Sequence, residues 1–396
     1  MAKNVEDFIQ KGEELIEDEK YDEAVKAFDM AIKMDREHVE AWLGKAFALY
    51  EQEVYDKTLK CYNKVIKLDP ENIDGWTGLG DTLYEQEEYD RAIECYDKAL
   101  EFDENNSDAW NGRGDCLCEQ EEYDKAIECY DKVLAIEPDD IYALNSKGDT
   151  LAEMERYDEA IECYDRVLEF EHENVFAWNN KGDVYLEKEE YDRAIECYDK
   201  ALEIDGKNVY ALNGKGYVFS ETKEYDRAME CYNKAIIIDP ENLDSWNYKG
   251  DLFCEEDNFD KAIECYNEAL GIDPENTYGL NGTGLALTGK KDFKKALQCY
   301  DKAIAIDGND PVPWNNKGLL MAYQQKYKEA EKCYDMALRL DGKYFNAFYN
   351  KGLLLSEEKK YKEAIQCFDK ALELEPDDPD ALEARKEALE MVSREK

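Results

Sequence analysis

The 396-residue sequence contains few of the side chains on which catalytic and metal sites usually depend. Its two histidines, His38 and His172, stand alone in separate segments, so we expect neither a histidine-assisted nucleophile nor a zinc site. The closest cysteine pair, Cys116 and Cys118, is two residues apart on a predicted helix, which points the thiols in different directions. No glycine-rich phosphate loop occurs. These features predict a non-enzymatic protein without a cofactor or a metal.

Long apolar runs are also missing. No stretch of 18 apolar residues could span a membrane, and the first residues lack the apolar run of a signal peptide. Basic residues are scarce, since 50 Lys and Arg face 96 Asp and Glu, and the formal net charge is −46. Such a charge repels nucleic acid and attracts cationic partners, or serves simply to keep a long protein soluble. We therefore expect a cytoplasmic protein that binds neither nucleic acid nor a membrane.

Repetition is what the sequence has in abundance. A 34-residue pattern recurs eleven times from Val5 to Asp378 without insertion or deletion. The repeats begin at Val5, Val39, Ile73, Ser107, Ile141, Val175, Val209, Leu243, Thr277, Pro311 and Phe345. With positions numbered 1 to 34, apolar or small residues fall at positions 4, 8, 11, 17, 20, 24 and 27, a helical spacing broken at 14–16 and 31–34. Each repeat is therefore predicted to be a helical hairpin of helix A and helix B.

A unit of this length cannot bury its own apolar face, so stacked hairpins with a long binding surface are expected. We assign residues 1–4 to an N-terminal tail, residues 5–378 to the eleven repeats and residues 379–396 to a capping helix. Ten of the thirteen cysteines occupy position 23 of successive repeats. Equivalent positions in stacked units lie about 8–10 Å or more apart, beyond disulfide reach. These cysteines are predicted to be small buried or half-buried hydrophobes.

The residue types at individual positions of the repeat identify its family more closely than the repeat length does. Position 8 is Gly except for Ala46, position 20 is Ala except for Thr58, and position 24 is always Tyr or Phe. Position 4 holds Phe8, Trp42, Trp76, Trp110, Leu144, Trp178, Leu212, Trp246, Leu280, Trp314 and Phe348. In these residues the chain resembles the tetratricopeptide repeat family over nearly its whole length. The resemblance implies an all-α fold, an α-α superhelix that is a right-handed solenoid of helical hairpins, and a role in binding proteins.

The chain departs from that family at two positions. Position 7, usually Leu, is basic in most repeats, as in Lys147 and Lys317, and we expect its aliphatic stem to cover the core edge while its charge reaches water or an acidic neighbour. Position 15, usually Gly, is mostly Glu, as in Glu121 and Glu189. If the backbone there is left-handed, a strain of about 1 kcal/mol is expected at each such residue.

Positions 2, 5, 9, 12 and 13 of helix A form one stripe, rotated away from the packed positions, and we call it the helix-A stripe. Position 5 is Asn in seven successive repeats: Asn111, Asn145, Asn179, Asn213, Asn247, Asn281 and Asn315. Position 9 is acidic at Asp81, Asp115, Asp149, Asp183 and Asp251, and position 13 adds Glu85, Glu119, Glu153, Glu187 and Glu255. Position 2 is aromatic at Tyr142, Phe176, Tyr210 and Tyr278. The resemblance implies that this stripe lines a concave groove.

We interpret the stripe as a site for an extended, basic peptide or protein segment containing Lys or Arg. Carboxamides can hold a peptide backbone, carboxylates attract cations, and aromatic rings accept apolar or cationic side chains. Other interpretations stay open: the asparagines could bond within their own helix turn or descend from repeat duplication, and the aromatic residues could be ordinary helix-start residues. Positions 2, 5, 6 and 9 contain no Lys or Arg, which excludes a clamp for a C-terminal carboxylate. The alternative function is a structural or assembly protein that acts through self-association or its convex face.

Overall fold

The computed structural model describes residues 4–394, and the regular secondary structure in that range is entirely α-helical. The helices are α1 (Val5–Glu17), α2 (Tyr21–Met34), α3 (Val39–Tyr50), α4 (Tyr55–Leu68), α5 (Ile73–Tyr84), α6 (Tyr89–Phe102), α7 (Ser107–Glu119), α8 (Tyr123–Ile136), α9 (Ile141–Glu153), α10 (Tyr157–Phe170), α11 (Val175–Glu187), α12 (Tyr191–Ile204), α13 (Val209–Glu221), α14 (Tyr225–Ile238), α15 (Leu243–Glu255), α16 (Phe259–Ile272), α17 (Thr277–Gly289), α18 (Phe293–Ile306), α19 (Pro311–Tyr323), α20 (Tyr327–Leu340), α21 (Phe345–Glu357), α22 (Tyr361–Leu374) and α23 (Pro379–Arg394). Each repeat thus contributes one odd-numbered helix A and one even-numbered helix B, as the period predicts.

The ends of helix A follow from local hydrogen bonding. Helix α7 begins where the Asn106 side chain accepts a hydrogen bond of 2.7 Å from the backbone N–H of Ala109. It ends in a Schellman turn, in which the N–H of Glu122 donates to the carbonyl of Leu117 at 2.8 Å. This turn places Glu121, at position 15, in the left-handed region with φ 60°. The same position has φ between 56° and 63° in all eleven repeats, so the strain expected from the missing glycine is present.

The core is built around the aromatic ring at position 24 of helix B. The ring of Tyr96 is 1% exposed and packs against the glycine at position 8 of its own repeat, Gly80. A Cβ on Gly80 would lie 2.6 Å from the Tyr96 ring, and one on Gly112 of the next repeat would lie 2.5 Å from it. The tryptophans at position 4 are only half-buried, and Trp110 donates from Nε1 to the carbonyl of Glu104 at 2.9 Å. Position 24 therefore provides the central packing residue, and position 4 ties the inter-repeat loop to helix A.

The basic residue at position 7 pairs with an acidic residue of the preceding helix B. Lys147 Nζ lies 2.5 Å from Asp131, and Lys317 Nζ lies 2.6 Å from Asp301. The predicted contact between this charge and an acidic neighbour is confirmed. In α23, Arg385 pairs in the same way with Asp369, so the C-terminal helix occupies the place of a further helix A.

The thirteen cysteines are free thiols, and most are buried. At position 23, eight of the ten are buried, while Cys299 and Cys367 are half-buried. Burial raises the pKa of Cys61 to about 11 and that of Cys95 to about 12, so these thiols stay protonated near neutral pH. The prediction that they act as small hydrophobes is confirmed.

Contacts between Cα atoms divide the chain into two compact bodies. The N-terminal body ends at Ile204 and holds repeats one to six, and the C-terminal body begins at Asp205 and holds repeats seven to eleven with α23. Among the helices described, none combines the length and apolar character needed to cross a membrane. The described residues also contain no group of three or more His, Cys, Asp or Glu arranged to hold a metal ion.

Candidate functional site

The asparagines at position 5 are more buried than the sequence suggests. Exposure falls to 8% or less at five of the seven, namely Asn111, Asn179, Asn213, Asn247 and Asn315, and is intermediate at Asn145 and Asn281. The reason is that the next helix A covers position 5 with its own position 3. Ser245 Oγ donates to Asn213 Oδ1 at 2.9 Å, and a Cβ on Gly279 would lie 3.4 Å from Asn247 Oδ1. Position 5 was expected to lie on an exposed face. In the structure it lies at the junction between the A helices of successive repeats.

Hydrogen bonding of this asparagine column differs along the chain. In repeats nine to eleven the column is bonded across repeats, since Asn316 Nδ2 donates to Asn281 Oδ1 and Asn350 Nδ2 donates to Asn315 Oδ1, both at 3.1 Å. In Asn111, Asn145, Asn179 and Asn247, by contrast, Oδ1 is buried and accepts no hydrogen bond from the described residues. A contact between this column and a peptide stays a prediction.

Each aspartate at position 9 is tied to the core tyrosine of its own repeat. The hydroxyl of the position-24 tyrosine donates to it over 2.5 to 2.8 Å in the pairs Tyr96–Asp81, Tyr130–Asp115, Tyr164–Asp149, Tyr198–Asp183 and Tyr266–Asp251. The sequence did not reveal this bond, although the constant spacing of 15 residues between the two positions is visible in it. The bond fixes each carboxylate at the edge of the helix-A stripe.

Burial also changes the acidity of these carboxyl groups. It raises the pKa of Asp81 to about 6, against an opposing hydrogen bond from Tyr96. The pKa values of Asp115 and Asp149 are raised for the same reason, and hydrogen bonds from tyrosine hydroxyls oppose the shift in both. A partly desolvated carboxylate that lacks a cationic partner is stabilised when a cation binds beside it. Asp81, Asp115 and Asp149 are therefore suited to contact a cation.

The aromatic residues at position 2 lie on the same stripe, about half-exposed at 49% to 55%. Tyr142 donates to Asp115 at 2.7 Å, and Tyr278 donates to Asp251 at 2.6 Å, so position 2 of one repeat reaches position 9 of the repeat before it. Phe176 and Tyr210 share this exposed placement. Two of the four predicted aromatic residues are thus joined directly to two of the predicted aspartates.

A cavity of about 540 Å³ opens where repeats four and five meet, within the N-terminal body. Five carboxylate side chains line it, contributed by Asp115, Glu119, Glu121, Asp149 and Glu153. Four tyrosines, among them Tyr142, line it too, and the lining residues that the structure describes include no Lys or Arg. Tyr84 and Tyr123 were not among the predicted site residues. Tyr84 lies at position 12 of the stripe, where the residue type changes from repeat to repeat, and Tyr123 belongs to helix B, outside the stripe. A surface of carboxylates and tyrosine rings is suited to an ammonium or guanidinium group.

Comparisons with known proteins agree with this architecture. Models described as tetratricopeptide repeat match residues 77–141, 129–162, 175–208, 209–242, 243–276, 282–310, 311–344 and 345–378, and one described as TPR repeat matches 48–86 and 148–188. None of the curated proteins matches the sequence.

Solved structures of low sequence identity share the fold, and yeast Tom70 and Cut9-Hcn1 are two of them. The crystal structure of yeast Tom70 has a TM-score of 0.59 and 17% identity, with 99% of this chain and 96% of that chain covered. The APC/C hetero-tetramer Cut9-Hcn1 has a TM-score of 0.52 and 16% identity, with 98% and 90% covered. The repeat matches extend from residue 48 to residue 378 with one short gap, and the helical hairpins recur at the same period. The chain belongs to the tetratricopeptide repeat family.

Proposed function

We propose that this chain is a non-enzymatic scaffold that binds an extended, Lys- or Arg-containing segment of a partner protein along its helix-A stripe. Its family and fold are those of protein-interaction modules, and one similar structure, the hetero-tetramer Cut9-Hcn1, is itself a complex between different proteins. The acidic cavity between repeats four and five is the observation that carries the proposal.

The chemistry of that cavity favours a basic side chain over other ligands. Asp115 and Asp149 are half-buried, and tyrosine hydroxyls orient both of them. Glu119 and Glu153 are exposed one helical turn further along and extend the negative surface. An incoming ammonium or guanidinium group would relieve repulsion among these carboxylates, whereas an acidic peptide would add to it.

Fluorescence anisotropy with the full chain tests the proposal. Labelled extended peptides that differ only in carrying Lys, Glu or Gln at alternate positions are titrated at low and at high salt. We expect the Lys peptide to bind best and to lose affinity at high salt, because exposed charges are then screened. Preference for the Glu peptide, or equal affinity at both salt concentrations, would overturn the proposal.

A matched pair of variants tests whether the Lys peptide binds in the acidic cavity. Glu153→Gln removes one negative charge from the cavity, and Glu128→Gln removes the same charge from an exposed position in the same body that does not line it. We expect Glu153→Gln to weaken binding of the Lys peptide several-fold, while Glu128→Gln has a much smaller effect. Equal effects of the two changes would mean that only the net charge of the protein attracts the peptide.

A further inference from the structure

The helix-A stripe changes its chemistry inside the C-terminal body. Position 9, which is Asp251 in repeat eight, becomes Leu285, Leu319 and Leu353 in repeats nine, ten and eleven. Leu285 and Leu353 are exposed at 40% and 38%, although leucine is usually found inside a protein. In these three repeats, positions 2, 5, 6 and 9 contain no charged residue. An exposed apolar row thus replaces the acidic one.

A second, independent replacement occurs at the same place. In repeats one to seven, position 17 is Tyr and position 13 of the next repeat is Glu. At the first junctions the two are hydrogen-bonded, and Tyr89 and Tyr55 donate to Glu119 and Glu85 at 3.5 Å. From repeat eight to nine this pair is Phe259 with Gly289. Both the hydroxyl and the carboxylate are therefore absent.

The next junction shows the same loss. From repeat nine to ten the pair is Phe293 with Tyr323, and at the following junction it is again a tyrosine with a glutamate, Tyr327 with Glu357. Both members of the polar pair change together at two successive junctions and at no later one. Independent surface drift would not be expected to remove both partners of a pair twice in succession.

These replacements produce an apolar cavity of about 440 Å³. Its lining includes Leu285, Leu319, Phe259, Phe293 and Tyr323. The ring of Phe259 lies so close to the glycine at position 13 that a Cβ on Gly289 would be 2.5 Å from its Cζ atom. A neighbouring cavity of about 570 Å³ shares Leu319 and Tyr323 and continues to Leu353. Tyr323, which is 62% exposed, stands between the two.

The charge around this cavity is opposite to that of the acidic one. Among its described lining residues only Lys291 carries a charge. Repeat nine has five Lys and four Asp, net +1, and repeat ten has six basic and four acidic residues, net +2. A basic segment has no carboxylate to meet inside this cavity, whereas an acidic side chain at its mouth would meet Lys291.

We infer that the cavity between repeats eight and ten is a docking site for an extended segment of a partner protein that carries a large apolar side chain followed or preceded by Asp or Glu. The apolar side chain enters between Leu285, Leu319 and the phenylalanine rings, and the carboxylate lies beside Lys291. The inference rests on the proposed function in taking the ligand to be an extended protein segment, but the site lies in the other body and selects a different sequence.

The test uses the full chain and two labelled peptides, one with Leu and Phe flanked by Glu, and the Lys peptide described above. We expect Leu285→Asp and Leu319→Asp each to weaken the Leu/Phe peptide at least tenfold and to leave the Lys peptide within twofold. Phe47→Asp is the matched control, because Phe47 also occupies position 9 and is 42% exposed, but does not line this cavity. It should change neither affinity by more than twofold.

A second variant tests whether the aspartate variants lose binding only because they misfold. The double variant Phe293→Tyr with Tyr323→Glu rebuilds the pair found at other junctions, and it adds no Cβ to a packed glycine because Tyr323 is 62% exposed. It should weaken the Leu/Phe peptide as the aspartate variants do, while the helical circular dichroism signal stays that of the wild type.

The outcomes separate this inference from the proposed function. If the Lys peptide binds but the Leu/Phe peptide does not, or if the aspartate variants bind the Leu/Phe peptide as the wild type does, the inference is overturned and the proposed function stands. If only the Leu/Phe peptide binds, the inference stands and the basic segment of the proposed function is wrong. If the cavity binds neutral lipid vesicles in place of the peptide, its ligand is a membrane and the inference is overturned. If the protein forms a concentration-dependent dimer that the aspartate variants abolish, its ligand is a second copy of the chain and the inference is likewise overturned.

Discussion

Repeats three to six and repeats nine to eleven have the same internal packing but different helix-A stripes. In both regions a fully buried aromatic ring at position 24 packs on a glycine at position 8, as in Tyr130 on Gly114 and Tyr334 on Gly318. Position 9, directly after that glycine, is Asp in the first region and Leu in the second. The comparison teaches that position 9 can change from a carboxylate to an apolar group while the packing beside it stays the same. One repeat scaffold can therefore carry two recognition chemistries.

The largest expected effect tests whether the packing is equivalent in the two regions. Tyr130→Ala and Tyr334→Ala each remove a ring that is 1% exposed, and each should cost about 3–5 kcal/mol of local stability, as other buried aromatics do. Hydrogen exchange measured by mass spectrometry should show lost protection in α7 and α8 for the first change and in α19 and α20 for the second. If one substitution costs less than about 1 kcal/mol, the two regions do not share one core.

Glycine at position 8 should give the next largest effect. A Cβ on Gly114 or Gly318 would lie 2.6 Å from the ring of Tyr130 or Tyr334, so alanine at either position should destabilise by about 1–3 kcal/mol. Thermal unfolding, monitored by circular dichroism, measures the loss of stability in both alanine variants. Gly271→Ala is the control, because among the described residues nothing outside its own stretch of helix lies within 4 Å of the added Cβ, and it should stabilise helix α16 by about 0.5–1 kcal/mol. Destabilisation by all three would point to a general intolerance of substitution.

Much of this scaffold was predictable from the sequence. The 34-residue period defined two helices per repeat, and the positions of small and aromatic residues identified the packed face, because a helix periodicity reports which side of one helix is covered. The ion pair of Lys147 with Asp131 was anticipated only as a contact with some acidic neighbour. Its partner belongs to the previous repeat, and sequence periodicity within a helix does not give the register between two helices.

The candidate site was less predictable for the same reason. A helical wheel places Asn179 on the stripe, but the burial of that side chain depends on the following helix A, which the wheel does not contain. The bond from Tyr164 to Asp149 joins helix B to helix A, and each cavity has lining from more than one repeat. Gly289 looks like random drift when its repeat is considered alone. Beside Phe259 it becomes half of a paired replacement.

The pH dependence of binding should distinguish the two stripes. Burial raises the pKa of Asp81 to about 6, so this carboxyl is ionised at pH 8 and largely protonated at pH 5. Asp81 lies on the helix-A stripe in the repeat before the acidic cavity, which it does not line. Affinity for a Lys peptide that extends along the stripe to this repeat should therefore fall as the pH drops through 6, by up to about tenfold if one cation contact is lost. The Leu/Phe peptide should not show this step near pH 6, because no Asp or Glu is found among the described residues that line its cavity. Anisotropy titrations at pH 8, 7, 6 and 5 measure both profiles.

Asp81→Asn provides the control for the pH dependence of Lys-peptide binding. The pH dependence of folding stability that comes from Asp81 is a second check, because it has the opposite sign. The variant should bind the Lys peptide weakly at all four pH values. Because the folded pKa of Asp81 lies above its ordinary value of 3.8, its favourable contribution to stability is complete below that value and is lost as the pH rises through about 6. Acidification in this window therefore weakens cation binding without destabilising the protein through Asp81. A pH profile of binding that Asp81→Asn leaves unchanged would assign the titration to another group.

The smallest expected effect concerns the turn at position 15, which is the same in both regions. Glu189 and Lys359 have φ of 56° and 63°, a conformation that costs an L-residue about 1–2 kcal/mol and glycine nothing. Glycine removes this strain energy, but part of the gain is offset because glycine has greater conformational entropy in the unfolded chain. Glu189→Gly and Lys359→Gly should therefore each stabilise the folded protein by about 0.5–1 kcal/mol. Neither residue lines the acidic or the apolar cavities, so neither peptide affinity should change. Glu189→Ala keeps the strain and should bring no gain; if alanine stabilises as much as glycine, the gain comes from removing charge, and the left-handed turn is not its cause.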